Sequence, residues 1–398
     1  MKIDVMTKDK DIKTTVPTLR FREFQNDARW IPNKIDHVCK IGNGRDYKHL
    51  SAGNIPVYGS GGYMTSVDKF LYDGESVCIG RKGTIDKPIF LTGKFWTVDT
   101  LFYTYAFHKC LPKFLYLIFQ QINWYKYNEA GGVPSLLKTT IGNINIFIPN
   151  NENEQNKIVD CFSSLDDLIN EVADKIETLK EYKKGLMQQL FPAKGKTIPA
   201  IRFPEFQNAP DWQETALENI GEIVTGNTPS TKEPNNYGGD RLFVSPADIS
   251  DKRYVSQTKT TLSEKGFRLS RHIKENSILF VCIGSTIGKV AQNTRECATN
   301  QQINSIMPYK GHVADFVYSI LEHYAPQIAS IAGNQAVPII NKTLFSSVSL
   351  LMPKENEQQK IADCLSSVDE LISTETAKLD QLKAHKKGLM QQLFPKLQ

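Results

Sequence analysis

The segment ENEQNKIVDCFSSLDDLINEVADKIETLKEYKKGLMQQLFP (152–192) returns without a gap at 355–395, with 26 of 41 positions identical. Upstream of it, LRFREFQNDARW (19–30) returns as IRFPEFQNAPDW (201–212). The chain is therefore a tandem repeat. The offset is 203 at the downstream match and 182 at the upstream one, so copy two carries 21 extra residues between its matching ends. The middles agree only in outline. VCIGRKGT (77–84) faces VCIGSTIGK (281–289), KFLYLIF (113–119) faces DFVYSIL (315–321), and GGVPSLLK (131–138) faces QAVPIINK (335–342). Similar ends with unlike middles point to one fold built twice, with two different reading surfaces.

The repeated segment reads as a long helix. Ile158, Leu165, Val172, Leu179 and Leu186 fall seven apart, with Cys161, Leu168 and Tyr182 at the complementary positions. Copy two places Ile361, Val368, Leu382 and Leu389 in the same way, with Cys364 and Leu371 between them, interrupted at Glu375 and His385. A seven-residue apolar repeat predicts a coiled-coil-like seam between the two helices. Its seam residues are Ile158, Leu165, Leu168, Val172, Leu179, Ile361, Val368, Leu371 and Leu382. The alternative is an ordinary amphipathic helix packed on its own domain. Gly185 and Gly388 each cost about 1 kcal/mol against Ala inside a helix, so they mark a break or a close approach of another backbone. The sequel LMQQLF sets Leu186, Met187, Gln188, Gln189 and Phe191, and again Leu389, Met390, Gln391, Gln392 and Phe394, as contacts for a partner protein.

Composition narrows the class. With 398 residues the chain exceeds one ordinary core. No apolar run reaches the roughly 18 residues of a membrane span, and the opening MKIDVMTKDKDIKTTVPTLRF has no apolar signal core. A cytoplasmic protein without a membrane partner is expected. Seven cysteines without a CxxC argue against a disulfide scaffold or a zinc ribbon. A net charge of +5 permits a nucleic-acid partner without demonstrating one.

No catalytic constellation is present in the sequence. GSTIGKV (284–290) has three residues between its glycines, where a phosphate loop needs four, and GSGGY (59–63) lacks dinucleotide-binding spacing. What remains is a set of Gly-flanked loops carrying side chains suited to DNA. Arg and Lys hold phosphates or guanine, and Asn and Gln pair with adenine. In copy one these are Tyr58, Ser60, Arg81, Lys82 and Lys138. In copy two they are Asn227, Ser230, Tyr237, Ser285, Lys289, Gln301, Gln302 and Asn304.

The ENEQxKI helices, the KKGLMQQLFP ends, TGNTPS…NYGGDRLFVSPADI and TNQQIN (299–304) together resemble the specificity subunits of type I restriction-modification enzymes. Phe243 stands where the family often has Trp. The resemblance covers nearly all of 19–398. It implies an α+β fold: two similar mixed target recognition domains joined by two long antiparallel helices with pseudo-two-fold symmetry. The boundaries expected are a lead segment 1–18, recognition domain 19–148, helical spacer 149–195, recognition domain 196–349 and spacer 350–398. By the same resemblance, the chain is not an enzyme by itself. It would read a bipartite site on double-stranded DNA and dock two modification subunits that methylate adenine N6, together with restriction subunits. It would hold no cofactor or metal itself, with S-adenosylmethionine, ATP and Mg belonging to the partner subunits. The competing readings are a repeat scaffold that binds only proteins, a recognition subunit of a methylation-only complex, and an enzyme in its own right.

Overall fold

The computed structural model describes residues 14–333 and 338–396. The first thirteen residues of the lead segment, and 335–337 of the QAVPIINK stretch, lie outside the described residues. Among the described residues, no helix is long and apolar enough to cross a membrane.

Four helices exceed seven residues among the described residues: α1 (Pro112–Phe119), α2 (Glu152–Leu190), α3 (Ala314–Ser330) and α4 (Glu355–Leu393). Two compact units divide the chain. One comprises Met1–Glu171 with Leu379–Gln398, the other Val172–Lys378. The first turns of α2 and the last of α4 thus belong to unit 1, and the remainder of both to unit 2.

Unit 1 carries an antiparallel sheet in the order Lys40–Asn43, Leu101–Tyr105, Ser76–Gly80, Ile89–Leu91. A second sheet runs Gly62–Val67, Ala52–Gly59, Lys94–Thr97, Tyr72–Asp73, with Ala52–Gly59 and Lys94–Thr97 parallel. Ile31–Lys34 pairs with Asn145–Ile148. Unit 2 repeats this plan. Gly221–Thr225, Ile303–Pro308, Ile278–Val281 and Val290–Asn293 match the first sheet, and a fifth strand, Tyr254–Val255, is added at its edge. Thr261–Leu262, Tyr237–Val244, Cys297–Thr299 and His272–Ile273 form the second sheet, and Gln213–Ala216 pairs with Ser349–Met352. An α+β fold built twice is thus what the repeat forms.

Strand pairing corrects one alignment. Ile79 pairs with Phe102 and Phe280 with Asn304, while Lys82 bridges Ser135 and Ile283 bridges Ile339. Residues 77–84 therefore correspond to 278–285, three positions from the register that the shared VCIG predicts. Ile278–Val281 is buried on both faces, so its apolar pattern carries no alternation to fix the register.

The repeated ends prove to be fasteners within each unit. In unit 1 the Arg20 guanidinium donates to both Glu154 oxygens at 2.7 Å, and Trp30 Nε1 donates to Glu154 at 3.1 Å. In unit 2 Arg202 and Trp212 do the same to Glu357, at 2.7 and 3.3 Å. Both pairs are bidentate on a buried carboxylate, with Arg20 buried and Arg202 half-buried, the geometry that satisfies a carboxylate removed from water. The next residue anchors the shorter helix. Gln155 accepts from Leu111 N at 2.9 Å at the start of α1, and Gln358 accepts from Val313 N at 3.0 Å at the start of α3. Each bond satisfies an N–H at a helix entry, where no carbonyl is available.

The predicted seam does not run the length of the helices. Val172 and Val368 are buried, and Leu165, Leu179 and Leu382 are half-buried. Leu168 and Leu371, however, are 36 % and 53 % exposed. Ile158 and Ile361 are buried in the unit cores beside Phe162 and Leu365. The buried face at positions 155, 158, 159 and 162 follows the helical spacing of an amphipathic face packed on its own domain. That packing displaces the seven-residue seam there. In unit 2, Lys175–Glu375 at 2.5 Å and Lys183–Asp369 at 2.7 Å run in opposite residue order, so α2 and α4 are antiparallel. Unit 1 repeats the second pair as Lys386–Asp166 at 2.5 Å.

The decapeptide ends are also corrected. Met187 and Phe191 lie in the unit 2 core, and Met390 and Phe394 in the unit 1 core. Phe394 packs on Phe114, Trp30 and Phe162, with centroids at 5.4, 5.9 and 6.2 Å. Phe191 packs likewise on Phe316 and Trp212, at 5.8 and 6.3 Å. The core of each unit is thus completed by the helix end of the other copy. Leu186 and Leu389 are half-buried, and only Gln188, Gln189, Gln391 and Gln392 remain exposed. The helices continue through Gly185 and Gly388, and among the described residues nothing lies within 4 Å of a Cβ at either position.

Candidate nucleic-acid interface

In each unit, loops from both sheets meet at one end. Gly44 makes this possible in unit 1, since a Cβ there would sit 1.9 Å from Val98 O. Gly226 does so in unit 2, at 2.2 Å from Thr299 O. The backbone bonds behind the loops repeat as well. Gly83 N donates to Pro134 O at 2.9 Å and Gly284 N to Pro338 O at 3.0 Å. Leu136 N donates to Arg81 O at 2.8 Å and Ile340 N to Cys282 O at 2.8 Å. The frame is common and the side chains on it are not.

In unit 1 the structure brings most of the expected residues together. Gly83 lies against the Ser60 hydroxyl, Arg81 and Lys82 hang their backbone N–H groups on Thr100 O, and Lys82 bridges Ser135. The Arg81 and Lys82 side chains are exposed, as is Lys138 at the head of Lys138–Gly142. Tyr58 is half-buried beneath the exposed Tyr63, their rings edge to face at 6.1 Å. Asn128 closes the neighbouring loop, accepting from Ser135 N at 2.9 Å and donating to Ala130 O at 2.9 Å. The face is basic, preorganised and open, as phosphate contact requires.

Unit 2 divides its candidates. Asn304 is buried, accepting from Thr225 Oγ1 at 2.6 Å and donating to Cys282 Sγ at 3.1 Å, so it cannot present an edge to a base. Asn227 spends its amide on Leu269 O at 3.0 Å and Arg271 N at 2.7 Å. The Tyr237 hydroxyl donates to Pro229 O at 2.6 Å, and Lys289 Nζ to Ile249 O at 2.9 Å. These four hold the local backbone in place. Gln302 is half-buried and braces Asn300, whose amide donates to it at 3.0 Å. Ser230, Ser285 and Gln301 are exposed, Gln301 holding the Thr228 hydroxyl at 2.7 Å. The short polar side chains fold inward because turns use Asn and Ser to replace backbone partners.

The basic pair of unit 1 has no counterpart in the corresponding positions, where Cys282 is buried and Ile283 is apolar. Two exposed arginines were missed. Arg45 stands at the position of Asn227, one residue past the tight glycine, and the 182-residue offset would have found it. Arg271, exposed beside Asn227, donates to Thr225 O at 2.7 Å and has no sequence signal.

Burial pushes the thiols of Cys39, Cys78, Cys282 and Cys297 up to about 12, so none is a thiolate nucleophile at neutral pH. Among the described residues, no three His, Cys, Asp or Glu side chains are grouped to hold a metal ion.

The family described as type I restriction modification DNA specificity domain matches residues 28–181 and again 210–384. The type I restriction enzyme HindI specificity subunit of Haemophilus influenzae is 25% identical over 317 residues, covering 62% of this chain and 68% of that protein. The MjaVIII specificity subunit of Methanocaldococcus jannaschii is 23% identical over 346 residues, 81% of this chain and 77% of its own. The solved structure of the type I restriction-modification S subunit from M. genitalium shares the fold with a TM-score of 0.66 at 15% identity, covering 96% of this chain and 100% of that one.

Proposed function

This chain belongs to the type I restriction modification DNA specificity domain family, and from that premise we propose that it reads the two halves of a bipartite DNA target and leaves the chemistry to other subunits. The observation that carries the reading is one loop frame built twice with unlike side chains, Arg81 and Lys82 in one copy and Cys282 and Ile283 in the other. Two different readers on one chain suit an asymmetric site, where a homodimer would read a palindrome. Residues 19–148 and 196–349 are the readers, and the long helices set the unread spacer between the half-sites. Arg81, Lys82 and Lys138, with Arg45 and Arg271 added, hold phosphates. Ser60, Ser230, Ser285 and Gln301 lie where base edges are read.

Gln188, Gln189, Gln391 and Gln392 form two equivalent docking patches for modification subunits, which hold S-adenosylmethionine and methylate adenine. Restriction subunits with ATP and Mg complete the assembly. The glycines support the docking. Each costs about 1 kcal/mol in a helix interior, and among the described residues nothing lies within 4 Å of a Cβ placed at either. An arriving backbone would use the space.

The test is methylation mapping of a host with and without this chain. A bipartite adenine motif that disappears with the chain is expected, and removing one heptad from α2 and from α4 should change its spacer and keep both half-sites. A methylome unchanged by loss of the chain would overturn the reading.

A further inference from the structure

Unit 2 is longer than unit 1 at one place in particular. Strand pairing matches Tyr58 and Val67 with Val244 and Leu262, and the second interval is nine residues longer. The surplus builds the edge strand Tyr254–Val255 and brings in Arg253 just before it. The Arg253 side chain is 4 % exposed, yet all five of its N–H groups are engaged. Nε and Nη2 donate to Gln292 Oε1 at 3.0 and 2.9 Å, and Nη2 also donates to Asp315 at 2.5 Å. Nη1 donates to Ser366 Oγ at 2.9 Å and Asp369 at 3.2 Å. Asp369 in turn holds Lys183 at 2.7 Å, and Lys183 reaches Glu322 at 2.5 Å. The buried Tyr318 ring lies under both cations, 4.6 Å from Arg253 and 5.5 Å from Lys183. One ionic cluster therefore ties the sheet, α3 and the unit 2 portions of α2 and α4 together.

Unit 1 shows that the fold does not need it. At the positions of Gln292 and Tyr318 it has Phe90 and Tyr116, packed at 5.6 Å, and of the ion pairs it keeps, among the described residues, only Lys386–Asp166. Buried charges add little net stability over an apolar filling of the same shape. What a guanidinium adds is direction: its planar fork admits one arrangement of partners, whereas apolar rings can slide. A base-reading surface displaced by about 1 Å loses its discrimination.

We propose that Arg253 is a positioning residue: it fixes the second reader on its helix pair so that one half-site is read in register. The proposal rests on the DNA-reading function above. The test uses the assembled complex in its host, carrying Arg253→Lys, which keeps the charge and loses the fork, or Ser366→Ala, which removes one acceptor. Methylome sequencing is the readout. The expected result for Arg253→Lys is at least a tenfold rise in methylation of sites mismatched in one half-site, with the other half-site as strict as before. Ser366→Ala should shift the same way, by less. An unchanged motif in both variants would overturn the proposal. So would a uniform fall in methylation at unchanged motifs, since a purely structural role predicts that. If the wild-type complex writes no bipartite motif, the functional reading itself fails, whatever Arg253 does.

Discussion

Replacing Phe394 with Ala separates two explanations of the repeated decapeptide. The ring is 4 % exposed and packs on Phe114, Trp30 and Phe162. Truncating a buried Phe costs about 3–5 kcal/mol, the lost transfer energy plus the cavity left behind. In a unit of this size each kcal/mol lowers Tm by about 2–4 °C, so Phe394→Ala should lower the melting of unit 1 by roughly 6–20 °C. Unit 2, whose core holds Phe191, should melt as before, and Phe191→Ala should give the reciprocal result. Calorimetry of the free chain, with hydrogen exchange to assign each transition, measures both. A shift below about 2 °C for Phe394→Ala, on that same scale, would refute the core role and leave the decapeptide as a partner contact alone. Gln391→Ala, on the exposed side, should leave the free chain's Tm unchanged.

Three further outcomes follow from the fasteners and loops. Glu154→Ala leaves the Arg20 guanidinium buried without its carboxylate and should cost about 3–5 kcal/mol in urea unfolding; Arg20→Met on that background should recover part of the loss, and further loss would contradict the pairing. Burial holds the His323 imidazole below its ordinary value, so the unfolded state takes up its proton first as pH falls. Stability is then complete above the unfolded value near 6.5 and declines through the folded one. Unit 2 should melt progressively lower from pH 7 to 5, and His323→Leu should flatten the decline, with His312, also lowered by burial, supplying the remainder. Replacing both Arg81 and Lys82 with Ala should weaken DNA binding across sequences and reduce the log–log salt slope by about 1.8, or 0.9 per phosphate contact, whereas Asn304→Ala should lower unit 2 stability instead; an unchanged slope would remove the basic pair from the interface.

The repeat and the long helices were legible in the sequence because identity and helical period are local properties. The correspondence of α1 to α3 in the repeat was legible too, through KFLYLIF and DFVYSIL, since Phe114 and Phe316 make equivalent contacts within their own units. The strand register was not. VCIG aligns by letter, but a strand buried on both faces gives the pattern nothing to index. Three of the copy-two loop candidates turn inward for another reason. Asn227, Tyr237 and Lys289 have the right chemistry for DNA, but a nearer carbonyl or N–H claims each of them.

The sequence by itself determined that two similar domains and two long helices exist, because duplication is written in the residues. Only the tertiary structure decided which helix end completes which core, that Glu154 and Glu357 are clasps on buried arginines, and that Arg253 is saturated. Those facts depend on contacts between residues far apart in the chain, such as Arg20 with Glu154 and Arg253 with Asp369. A linear pattern specifies which face of an element is apolar, and the packed chain alone specifies what covers it.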